Sequence, residues 1–92
     1  MTQQYIVGEF SALLAELQSA SGELFANAVG NLRHEVEFGL YEMLPHRARE
    51  AMTLTDVICR STLEHRDMST FRRCTDAAAA LREFAASANL VP

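Results

Sequence analysis

The chain reads as an all-α protein, an antiparallel up-down bundle of four helices. Apolar residues recur at three- and four-residue steps in four successive stretches, the period of an amphipathic helix. Short clusters of Ser, Gly, Pro or Asp separate the stretches. With 49% hydrophobic residues but only four Gly and two Pro in 92, the composition is too apolar for disorder and too poor in turn formers for a sandwich of short strands. A three-helix bundle, its first two stretches fused into one long bent helix, is the alternative. The length fits one helical domain over residues 1–92.

The first stretch places Ile6, Phe10, Leu13, Leu14 and Leu17 on one face, with Glu9 and Glu16 on another. Ser19-Ala20-Ser21-Gly22 interrupts it and offers capping groups to the next helix. The second and longest stretch, residues 22–44, carries a seam of Phe25, Val29, Leu32, Val36, Gly39 or Leu40, and Met43. Leu24, Ala28, Phe38 and Tyr41 lie off that seam, and so wide an apolar band points either to a central position for this helix or to a face kept for a partner. Pro45 is expected to end this helix.

A third stretch over residues 46–65 uses Ala48, Ala51 or Met52, Thr55, Ile58 or Cys59, and Leu63, its β-branched threonines weakening it. Asp67 or Ser69 is a suitable N-cap for the fourth, where Phe71, Cys74, Ala78, Leu81 and Ala85 keep a clean period. Asn89-Leu90-Val91-Pro92 reads as a frayed tail.

Loops this short force sequence neighbours to run antiparallel, so residues equidistant from a turn meet at one level. The rule pairs Leu17 with Leu24, Leu13 with Ala28, Phe10 with Leu32 and Ile6 with Val36. It also pairs Leu40 with Ala51 or Met52, Met43 with Ala48, Leu63 with Phe71, Cys59 with Cys74, and Met52 with Leu81. Gly8, Gly30 and Gly39 fall inside helical patterns. Close backbone approach, or a large side chain laid over each, accounts for them better than a ligand groove does.

Net charge is −4, and all eight cationic residues other than His are Arg. Residues 1–46 hold Arg33 against six Glu (1 − 6 = −5), whereas residues 47–92 hold seven Arg against six acids (7 − 6 = +1). An acidic first hairpin thus faces a mildly cationic second one, which can orient the packing of hairpins within or between chains. The acidic balance argues against nucleic acid as a partner, and neither zinc-finger spacing nor an RNP motif is present.

No apolar run reaches the roughly 18 residues that cross a bilayer, and Met1-Thr2-Gln3-Gln4 has no positive n-region. A cytoplasmic protein without membrane contact is the expectation. Two cysteines make no disulfide framework. Cys59 and Cys74 are expected to face each other as buried thiols, a disulfide being the alternative.

His34 and Glu37, an H-x-x-E on the second helix, are candidate metal ligands against the alternative of a solvated charged face. Arg66, Arg72 and Arg73 are candidate anion-binding residues near a helix start, although Glu64, Asp67 and Asp76 lie among them. No catalytic residue or cofactor is indicated: there is no G-x-S-x-G, no nucleotide-binding glycine loop and no H-E-x-x-H. For a chain this small, apolar burial and the cost of ordering nearly cancel, a motive for self-association. The reading is therefore a non-enzymatic interaction or regulatory module, a homodimer through helix two and a neighbour. A bundle holding a small ligand or metal between helices is the alternative.

Overall fold

The computed structural model describes residues 2–91. Four helices make it up: α1 (Gln3–Ser21), α2 (Glu23–Phe38), α3 (Leu44–Glu64) and α4 (Met68–Ser87), with a 3-10 turn at Tyr41–Met43 before α3. The chain is 88% helical, without strands among the described residues. Helix α1 packs on α2 and α4, and α3 packs on α4 and α2, so the helices form a ring with α1 diagonal to α3. Cross-helix bonds show the antiparallel order. Gln18 reaches the Ala26 carbonyl near the first turn while Ser11 bonds Glu37 farther away, and Arg82 reaches Asp56 at 3.1 Å, beyond the Cys59–Thr75 contact.

The separate first and second helices exclude the three-helix alternative. The break is the single residue Gly22, whose φ of +77° is a left-handed conformation open to glycine at no steric cost. Pro45 does not end α2, contrary to expectation. That helix stops at Phe38, capped by an extended Gly39 whose N–H donates to the Glu35 carbonyl at 2.9 Å. A Cβ at residue 39 would run into that same carbonyl. Pro45 instead stands in the first turn of α3, where its fixed φ is preorganised and its missing N–H has no bond to lose.

The α3–α4 corner is tighter still. Arg66 adopts a left-handed φ of 57°, its N–H bonds the Leu63 carbonyl, and the Asp67 N–H bonds the Thr62 carbonyl, both at 3.0 Å. This is a Schellman closure with arginine where glycine is usual. Asp67 then starts α4. Its carboxylate accepts from the Thr70 N–H at 3.1 Å, and bonding from Thr70 holds its pKa below the usual range. Of the two caps offered by the sequence, Asp67 is the one used.

The tail is not frayed over the described residues; Pro92 lies outside them. Asn89 takes a left-handed φ of 59°, the Leu90 N–H returns to the Ala85 carbonyl at 2.8 Å, and the Leu90 side chain is buried. The sequence hid this second Schellman closure because asparagine stands in for glycine.

The core joins Ile6, Phe10, Leu14 and Leu17 of α1 to Val29, Leu32 and Val36 of α2, then to Ala48, Ala51 and Ile58 of α3 and to Cys74, Leu81 and Ala85 of α4. Phe10 meets Phe84 of α4 edge-on, ring centroids 6.2 Å apart. Buried Thr55 spends its hydroxyl on the Met52 carbonyl at 2.8 Å, which is how a polar side chain is tolerated there.

Several equal-level pairs fail. Leu24 is 77% exposed, Leu40 70% and Leu63 51%, so none of them is buried against the partner assigned to it, and Met43 is also exposed. Leu44 and Thr62 take the buried positions instead. The first hairpin turns about Gly22 rather than at residues 20–21, and α2 has already ended before residues 40–43, which removes them from its seam.

Candidate functional site

The ring of helices is loosest between α2 and α3. There the surface opens into a groove of about 530 Å³. Its floor is Leu32 and Leu54, and Ala28 and Val57 line the half nearer the Gly22 turn. Val57 is 46% exposed. Leu24 continues the α2 stripe one turn beyond Ala28, which is the off-seam apolar band of the sequence now on the surface.

The other half of the groove is charged. Arg47 bridges the helices: its Nη1 lies 3.2 Å from Glu35 on α2 and 2.6 Å from Glu50 on its own helix. His46 Nε2 lies 2.8 Å from the same Glu50 oxygen. The Arg47 Nε is buried without a hydrogen-bond partner. Arg49 lines the groove, is exposed, and pairs with no acid among the described residues. The i, i+3 and i, i+4 spacings of Arg47 and His46 to Glu50 are legible in sequence, but nothing there shows Glu35 coming across from α2.

The candidate metal ligands point to different tasks. The His34 ring leans against Phe38, tilted at 43° with centroids 4.7 Å apart. Glu37 accepts a hydrogen bond from Ser11 of α1 and pairs with Arg33 at 3.2 Å, while Arg33 Nε also donates to Ser11. The Ser11 bond, with Arg33 beside it, holds the Glu37 carboxyl below its ordinary range. This Ser11–Arg33–Glu37 knot ties α1 to α2, and its sequence signal was the Arg33/Glu37 spacing rather than H-x-x-E. Among the described residues no group of three or more His, Cys, Asp or Glu is placed to hold a metal ion.

Arg66 is committed to the α3 closure by its backbone, and Arg72 and Arg73 stand exposed early on α4. The N-terminus of α4, where an anion would bind, already carries the Asp67 carboxylate. Arg73 flanks a separate groove with Glu16 and Asp76.

Both cysteines are free. Cys74 is fully buried, and burial, with Cys59 nearby, pushes its thiol pKa up. Cys59 is half-buried with its sulfur 4.0 Å from the Thr75 hydroxyl.

The chain matches no known family model, no curated protein and no solved structure. Thr53, the hydroxyl in the groove, donates to the Arg49 carbonyl at 3.1 Å, and the His46 ring nitrogen faces Glu50. No nucleophile there has a base beside it. What the groove offers is an apolar half, a charged half carrying both signs, and a width set by two helices. No helix among the described residues is long and apolar enough to cross a membrane.

Proposed function

We propose that the protein is a non-enzymatic helical interaction module that self-associates through the face formed by α2 and α3. The observation that carries this reading is the open seam between those helices, where Val57 reaches solvent beside the partly buried Leu54 and exposed Leu24 lies farther along α2, in the depression at the Gly22 turn. Large apolar side chains gathered along a groove with a polar rim mark an interaction surface. A small bundle gains stability by covering them.

The test is solution mass as a function of concentration, by sedimentation or light scattering, for the native chain and for Val57→Asp. The native chain should exceed the monomer mass as concentration rises from micromolar to millimolar. Val57→Asp, at a half-exposed site that the fold does not depend on, should remain monomeric with unchanged helicity. A native chain that stays monomeric throughout that range overturns the proposal. A small-molecule occupant is the second reading, favoured by a groove volume inside the range of ligand sites; ligand-induced shifts confined to groove residues of a monomer would support it.

A further inference from the structure

We infer that the occupant of the α2–α3 groove is a second copy of this chain, set about a two-fold axis parallel to the helices, so that α2 of each copy lies on α3 of the other. The inference rests on the proposed self-association and adds its orientation and its charge pairing.

Charge selects the face. A chain of net charge −4 repels its own copy unless the contact surface is balanced, because a two-fold contact sets identical patches against each other. The charged half of the α2–α3 groove is balanced, with carboxylates Glu35 and Glu50 against guanidiniums Arg47 and Arg49. The other large apolar groove, about 500 Å³ over Gly8 and flanked by Phe38 and Tyr41, carries Glu37 and no cationic lining residue. Glu37 is already neutralised by Arg33 of its own chain, so a second copy placed there would find no uncommitted charge to pair with.

The layout of the groove selects the orientation. Apolar residues occupy the half near Gly22 and charges the half near the α2–α3 connection. With the axis parallel to the helices, heights are preserved. Leu24 and Ala28 on α2 then cover Leu54 and Val57 on α3 of the partner. At the other end Glu35 meets Arg49 of the partner subunit, twice by symmetry. Glu35 and Arg49 lie on opposite walls of one groove, and Arg49 has no ion-pair partner among the described residues of its own chain. An axis perpendicular to the helices would instead lay the charged half on the apolar half and desolvate charges without pairing them.

The test is charge-swap complementation, measured by sedimentation on Arg49→Glu, Glu35→Arg and their equimolar mixture. Each variant alone carries two like-charge contacts in its own dimer, and should dimerise about tenfold or more weakly than the native chain. In the mixture one copy supplies two carboxylates and the other two guanidiniums, so the heterodimer should form more tightly than either parent, though short of native affinity because Glu35→Arg also removes the bridge to Arg47 of its own chain. Circular dichroism on each variant confirms that both keep the native helical content. A mixture no tighter than its parents overturns the orientation while leaving self-association intact. A monomeric native chain overturns the association itself, so the two failures are distinguishable.

Discussion

Gly8 and Gly30 are both interior to helices, yet alanine should act differently at the two sites. A methyl group at residue 8 would meet nothing within 4 Å. One at residue 30 would lie 2.9 Å from Nε2 of Gln18, whose amide donates to the Ala26 carbonyl at 3.0 Å. Glycine to alanine in a helix interior is worth about 1 kcal/mol. At Gly8 nothing opposes that gain, so Gly8→Ala should stabilise the fold by roughly 0.5–1 kcal/mol. At Gly30 the Gln18 amide must swing aside, and losing its hydrogen bond costs about 0.5–1.5 kcal/mol, leaving a net change near zero. With an unfolding entropy of about 2.1 cal/mol/K per residue, 1 kcal/mol moves the midpoint of a chain this long by about 5 °C. Thermal unfolding followed by circular dichroism should therefore place Gly8→Ala about 3–5 °C above the native chain and Gly30→Ala within about 3 °C of it. Urea unfolding should give the same order. Gly39→Ala sets the opposite limit and should melt below the native chain, because its methyl meets the Glu35 backbone carbonyl rather than a movable side chain. A Gly8→Ala protein melting at or below the native midpoint would refute the reasoning, since it would mean that another surface lies against that side of α1.

Two further predictions concern the ends and the hydrogen-bond knot of the bundle. Arg66→Gly should raise stability by about 0.5–1 kcal/mol, the relief of a left-handed arginine less the extra freedom of glycine in the unfolded chain, whereas Arg66→Ala should give no gain; paired urea titrations decide between them. Glu37, depressed below its ordinary pKa of 4.5 by Ser11 and Arg33, contributes stability that is present above pH 4.5 and lost as pH falls through its lower folded value. Melting midpoints from neutral to acid pH should thus decline less steeply in Glu37→Gln than in the native chain, and parallel curves would rule the coupling out.

Periodicity revealed the fold where burial is one-sided. In α4, Cys74, Ala78, Leu81 and Ala85 are buried as their spacing requires while Phe71 is only half-buried, and in α1 only Leu13 of the expected face is half-exposed. It misled at the junctions. Pro45 is compatible with either the end of one helix or the start of the next, and α2 stopping at Phe38 gives it the second role. Arg66 and Asn89 occupy glycine's usual place, so neither closure carried its ordinary sign. The groove was half legible. The excess width of the apolar band on α2 pointed to a surface, but Glu35 meeting Arg47, and Arg49 left over, depend on how two helices are rotated about their axes, which hydropathy does not encode. His34 and Glu37 show the reverse case, a spacing that suggested ligation while each side chain had a nearer neighbour to satisfy it.

Residue 67 performs three jobs at once: its amide completes one helix, its carbonyl begins the next by accepting from Phe71, and its carboxylate shields the exposed amide of Thr70. A corner built this way has no slack. An added or deleted residue there would divide those duties among different positions and swing α4 about α3, dragging the core with it. The connection at residues 39–43 distributes the same duties over separate residues, with Gly39 closing one helix and Leu44 opening another. Length variation in proteins built on this plan is therefore expected at the second crossing and not at the third.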